Sequence, residues 1–122
     1  MVEIVLDTNF ITIPFDFRVD IYAEIERIVD EPYELVFPKI CINEISRLKT
    51  GKGALDLMQK KGVKVVEIPL KKTVDDSIVS YANEHKAIIA TQDAELRKKA
   101  LKNSLSVITL REKQFLIKIG GM

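Results

Sequence analysis

Apolar positions along the chain follow two rhythms. Short runs rich in apolar and β-branched residues at 2–6, 35–37, 63–68, 87–90 and 106–110, the fourth of them fully apolar, match the pattern of strands. Between them, Ile21, Ile25, Ile28 and Val29 recur at helical spacing and predict a helix over 19–29. Pro38 suits a helix start, which predicts a second helix to Lys49, ended by Gly51 and Gly53 and followed by a short helix over 54–61. Thr73 is placed to cap a helix reaching His85. Residues 93–102 are helical in pattern, and 111–122 form a tail that can add a last strand. Phe15 and Phe17 fall in what reads as a loop after the first strand, where they could pack beneath it or stack on bases. Strands alternating with helices predict an α/β fold: a single domain over 1–122 with a parallel sheet of about five strands flanked by helices.

Composition narrows the class. The 122 residues are 47% hydrophobic and 30% charged, the balance of an ordinary globular domain. A chain of this size buries about two-thirds of its unfolded surface, so it needs no covalent staple. The lone Cys41 cannot form an internal disulfide, and with the lone His85 it cannot build a Cys/His zinc site. No apolar run approaches a membrane span, and residues 1–7 lack the basic start of a signal peptide, so a reduced, cytoplasmic setting with no membrane is expected. A formal charge of +1, from 19 basic and 18 acidic residues, excludes attachment to nucleic acid by overall charge alone.

The chemistry lies in the placement of acids. In a parallel sheet the ligand crevice lies beyond the carboxyl ends of the strands. Asp7 directly follows the first strand, and Asp93 stands in Thr91-Gln92-Asp93 just after the fourth. Each alone has a local explanation as a turn or cap residue. Glu44 falls on an apolar stripe with Cys41, Ile45 and Leu48, where a carboxylate must be neutralised or given a cation unless it reaches water beside Arg47. Asp75 shares a face with Ile78, Val79 and Ala82, whereas Asp76 at the third position after Thr73 completes a capping box. Four acids on separate elements thus point to one acidic crevice at the C-terminal edge of the strands. They would raise one another's pKa unless a divalent cation lay among them. All-oxygen donors select Mg²⁺ or Mn²⁺, and the chemistry that uses such a cluster is phosphodiester hydrolysis.

The charge distribution agrees. Without Asp7, Glu44, Asp75, Asp76 and Asp93, 19 basic residues face 13 acidic ones, a balance of +6. Arg47, Lys49 and Lys52 follow Glu44, Lys71 and Lys72 precede Asp75, and Arg97, Lys98, Lys99 and Lys102 follow Asp93. These are candidate contacts for RNA phosphates, or else a solvated lysine-rich face. Glycine-rich nucleotide loops are absent, Ser77, Ser80 and Ser104 lack an adjacent base, Cys41 reads as core, and His85 reads as a helix-end cap.

In order and spacing, Leu6-Asp7-Thr8-Asn9, Glu44, Asp75 and Thr91-Gln92-Asp93 resemble the motifs of PIN-domain nucleases, with Ala82, Glu84 and His85 where many members carry A-x-E-H. The resemblance implies a metal-dependent endoribonuclease with Asp7, Glu44, Asp75 and Asp93 as catalytic and metal-binding residues, Asp76 as a further metal candidate, and Thr8, Asn9 and Thr91 in support. Val19-Asp20-Ile21-Tyr22-Ala23-Glu24 and Leu110-Arg111-Glu112-Lys113 resemble the archaeal branch related to small-subunit ribosomal RNA processing proteins. Asp75 follows Glu44 by 31 positions, an interval that looks short for the VapC-like toxin branch. The resemblance therefore implies ribosomal RNA processing, with single-stranded or looped RNA and ribosome-assembly proteins as partners. Its rivals are a toxin ribonuclease of a toxin-antitoxin pair and a non-catalytic RNA-binding scaffold.

Overall fold

The computed structural model describes residues 1–121. The first apolar run forms β1 (Val2–Leu6), whose last three residues are buried. β1 lies at the centre of the sheet, paired in parallel with β2 (Tyr33–Pro38) on one side and β4 (Ile88–Ala90) on the other. β3 (Lys64–Val66) extends the sheet beyond β2 and β5 (Ser106–Arg111) extends it beyond β4, both in parallel. The tail supplies β6 (Phe115–Gly120), which pairs antiparallel with β5 from Ser106↔Gly120 to Arg111↔Phe115. The sheet therefore has six strands in the order β3-β2-β1-β4-β5-β6, the five expected from the apolar runs and the last strand that the tail could add. The chain steps outward from β1 in one direction through β2 and β3, then resumes on the other side with β4. That reversal puts the switch point between the carboxyl ends of β1 and β4, the place where the ligand crevice of a parallel sheet lies.

The stretch expected to be a loop after β1 is instead two short helices, α1 (Thr8–Ile11) and α2 (Ile13–Phe17). Asp7 caps the first, Pro14 opens the second, and Arg18 ends it in the left-handed region at φ 56. Phe10, Ile11 and Ile13 are fully buried, while Phe15 and Phe17 remain substantially exposed. α3 (Ile21–Ile28) starts where Asp20 accepts hydrogen bonds from the Tyr22 and Ala23 amides, and it turns Ile21, Tyr22 and Ile25 inward.

The helix expected over 38–49 is broken. A 3₁₀ turn (Lys39–Cys41) leads into α4 (Ile42–Ser46). Ser46 Oγ donates back to the Ile42 carbonyl at 2.7 Å, and the Arg47 and Leu48 amides bond only three residues back. This tightening ends the helix. α5 (Gly51–Lys60) begins so close behind that a side chain at Gly51 would collide with the Ile45 carbonyl. The glycine there reflects close backbone approach rather than helix breaking.

α6 (Val74–His85) and α7 (Ala94–Lys102) match their expected spans closely. Thr73 Oγ1 accepts from the Asp76 amide at 3.0 Å, as a cap should. Ile4, Val5, Leu6, Ile89 and Ala90 are wholly buried, as strands covered by helices on both faces must be. Among the described residues, no helix is long and apolar enough to cross a membrane.

Candidate active site

Asp7 continues β1 by one residue, its amide donating to the Ala90 carbonyl of β4 at 3.0 Å. Its carboxylate turns back to accept the Thr8 amide at 2.8 Å, capping α1, and receives the Thr91 hydroxyl at 2.7 Å. Only 8% of the residue is exposed. Burial pushes its carboxyl up to about 6, against the Thr91 and Thr8 hydrogen bonds, and the nearby Asp75 and Glu44 charges push it further. A desolvated carboxylate with acids rather than a base for neighbours is in the setting that a bound cation relieves. Thr8 sits beside it, buried, with its hydroxyl unpartnered.

Across the crevice, the turn after β4 is tied down residue by residue. Thr91 is fully buried, and its hydroxyl accepts the Asp93 amide at 3.0 Å. Asn9 Oδ1 accepts the Gln92 amide at 3.0 Å and lies 3.3 Å from Thr91 Oγ1. Asp93 caps α7 by accepting the Glu95 amide at 2.8 Å. Thr8, Asn9 and Thr91 thus form the lining that orients Asp7 and starts the helix behind Asp93. The Gln92 side chain, for which the sequence pattern offers no signal, bonds to β5.

Asp75 and Asp76 part company on the first turn of α6. Half-buried Asp75 is pushed up by burial and then by the Asp93 charge, with Lys99 opposing and Asp76 and Glu44 adding. Asp76 is held below the usual carboxylate range by Lys99 and Thr73, and its Oδ1 accepts from Lys99 Nζ at 3.1 Å. Its carboxylate therefore belongs to a tie between α6 and α7, while Asp75 lies in the field of the other acids. Ser77, fully buried, secures the approach to α6 by accepting the Lys71 amide at 2.7 Å and donating to the Thr73 carbonyl at 2.8 Å.

Glu44 departs from the sequence reading. Cys41 and Ile45 are buried, but Leu48 is 43% exposed and Glu44 faces solvent. The break before α5 carries Leu48 away from Ile45, and within α4 itself Ile45 turns inward while Glu44 turns outward, so Glu44 is not a desolvated acid. It acts on the crevice through its charge, which raises both Asp7 and Asp75. Among the described residues, no three His, Cys, Asp or Glu side chains are close enough to form a ready ligand cluster. The acids share an edge and a field without closing into a cage. Their donor chemistry, hard oxygens beside an orphaned hydroxyl, fits a divalent cation of the Mg²⁺ or Mn²⁺ type.

Arg47, Lys49, Lys52, Lys71, Lys72 and Lys98 are exposed and Arg97 half-exposed. Among the described residues none of them is in an ion pair, in contrast to Lys99. Cys41 is a buried thiol pushed up to about 11 by its burial. His85 is not a helix cap: it stacks on Tyr81 with ring centroids 3.9 Å apart, and its Nδ1 lies 3.2 Å from Glu3. This places it at the end of α6 remote from Asp75.

Related sequences and similar architectures occur in known proteins. Ribonuclease VapC4 of Methanocaldococcus jannaschii is 31% identical over the whole of this chain and 99% of its own length. The PIN domain endonuclease Utp24 superposes with a TM-score of 0.81 at 18% identity, over 98% of this chain and 94% of that one. A PilT N-terminus domain protein from the hyperthermophilic archaeon Sulfolobus solfataricus superposes with a TM-score of 0.57 at 16% identity, over 91% and 89%. Residues 4–113 match the family described as PIN like domain. With acids gathered at the reversal point of a six-stranded sheet and this match across most of its length, the chain belongs to the PIN-domain family of nucleases.

Proposed function

We propose that the chain is a metal-dependent endoribonuclease. The observation that carries this reading is Asp7, desolvated at the reversal point, pushed up to about 6 and surrounded by the charges of Asp75 and Glu44. Asp7, Glu44, Asp75 and Asp93 would hold Mg²⁺ or Mn²⁺, directly or through water, and the cation when bound supplies Lewis-acid activation of water and of the leaving oxygen. The chain's own residues do the rest. Thr91 and the Thr8 amide fix the Asp7 carboxylate in one rotamer. Asn9 holds the turn that presents Asp93. Lys71 and Lys72 on one side, and Arg97 and Lys98 on the other, neutralise phosphates of a single-stranded or looped RNA, since a paired duplex would have to open before entering the crevice.

Two roles use this chemistry. Ribosomal RNA maturation alongside assembly proteins is supported by the stretches Val19-Asp20-Ile21-Tyr22-Ala23-Glu24 and Leu110-Arg111-Glu112-Lys113. A toxin restrained by an antitoxin is supported by the relative named VapC4, which aligns over its full length despite the short interval between Glu44 and Asp75.

One set of measurements tests both reaction and role. Purified protein should cut RNA with Mn²⁺ and stop when EDTA is added. Asp75→Asn should abolish cleavage while retaining the melting curve, and Asp76→Asn should keep turnover. Equal loss in both variants would place Asp76 in the site as well. Absence of cleavage by the parent would leave the scaffold reading. Expression in a bacterial host separates the roles, because growth arrest that vanishes with Asp7→Asn identifies a toxin, and cleavage without arrest identifies a processing enzyme.

A further inference from the structure

We infer that Gln92 is a positioning residue whose side-chain oxygen anchors the turn carrying Thr91 and Asp93 to β5, and so keeps the acids of the crevice in register. The inference rests on the nuclease reading above. A residue in a turn after a strand ordinarily points to water. Gln92 is half-buried instead, and its Oε1 accepts two hydrogen bonds from β5: the Thr109 hydroxyl at 2.8 Å and the Leu110 amide at 2.6 Å. A backbone amide can only donate, so the oxygen end of the side chain must face β5. The Gln92 main-chain amide meanwhile donates to Asn9 of α1. One residue therefore joins the turn after β4 to the strand on one side and the helix on the other.

Its neighbours depend on that anchor. The Thr91 amide donates to the Ile108 carbonyl at 3.1 Å, its hydroxyl donates to Asp7, and the same oxygen takes the Asp93 amide. A shift of the turn thus moves Asp7 and Asp93 together. Without the Gln92 oxygen, the buried Thr109 hydroxyl and the Leu110 amide lose their acceptor, which favours a displaced turn or an inserted water. Among the described residues, the Gln92 amide nitrogen makes no hydrogen bond, so only the acceptor is used. A carboxylate can take its place, whereas a thioether of similar length is only a weak acceptor.

The test compares Gln92→Met with Gln92→Glu. With Mn²⁺ and a single-stranded RNA, Gln92→Met should lose about tenfold or more in kcat, because misplaced reacting groups cost rate rather than binding. Its KM should stay within about twofold, and Gln92→Glu should recover kcat to within about threefold of the parent. Parental kcat in Gln92→Met would overturn the inference. So would a drop in melting temperature that accounts for the whole loss of turnover. Amide hydrogen exchange in metal-free protein gives a readout independent of activity. Protection at residue 92 and Asp93 should fall about tenfold in Gln92→Met and persist in Gln92→Glu. If the parent cuts no RNA, the nuclease reading fails while exchange still decides the anchor, and unchanged protection in Gln92→Met overturns it.

Discussion

Asp7 is the residue at which folding and function pull in opposite directions. Its carboxyl titrates at about 6 in the fold against an ordinary 3.8. As pH rises through that interval the unfolded chain releases its proton first, so stability of the metal-free protein falls and stays lower above it. A gap of about two pH units corresponds to about 3 kcal/mol. In EDTA at pH 8, Asp7→Asn should therefore melt at a higher temperature than the parent, and the decline between about pH 4 and about pH 6 should flatten. A lower melting temperature for the variant would mean that the Thr8 and Thr91 hydrogen bonds outweigh the relieved charge. The position of Asp7 is legible from its place after an apolar run. Its burial is not, because that depends on packing against remote segments, among them the turn at Thr91, 84 residues away, whose hydroxyl donates to the carboxylate.

At the scale of elements, β6 shows what a local pattern leaves open. Its Leu116 is fully buried, and the Leu116 main chain is gripped by α3: Glu24 accepts its amide at 3.0 Å and Arg27 donates to its carbonyl at 3.2 Å. The same two side chains pair with each other at 2.9 Å. A helix thereby satisfies backbone groups of an edge strand, one of the ways proteins keep such edges from pairing with another chain. Leu116→Ala should cost about 2–5 kcal/mol in urea unfolding, since it removes a buried side chain and leaves a cavity. A change below about 1 kcal/mol would show that β6 contributes little to the core. The failed prediction over 38–49 belongs to this scale too. Periodicity places Leu48 beside Ile45, but the Ser46 back-bond and the close approach at Gly51 end the helix first.

For the whole molecule, a near-neutral total of +1 includes exposed Arg47, Lys49, Lys52, Lys71, Lys72 and Lys98, which among the described residues form no ion pair. RNA binding by the inactive Asp75→Asn protein should weaken steeply with salt, each neutralised phosphate of a single strand contributing about −0.7 to the logarithmic slope. Replacing Lys71 and Lys72 together by Ala should reduce that slope by about 1.4 in magnitude. Fluorescence anisotropy across a salt series measures both, and an unchanged slope would remove these two lysines from the RNA path.

The sequence by itself determined the elements whose cause is local. Apolar runs gave the parallel strands, Thr73 gave the start of α6, and the end of the first apolar run gave the place of Asp7 as the cap of α1. These follow from side-chain periodicity and capping, which act within a few residues. Tertiary structure decided what depends on distant partners. Leu48 left the face of Ile45 because the chain breaks off to start α5 against α4, Asp76 was drawn to Lys99 on another helix, and Gln92 gained its role only when β5 brought Thr109 and the Leu110 amide alongside it. Contacts between segments remote in the chain leave no period in the sequence, since they depend on how the elements pack rather than on which elements form.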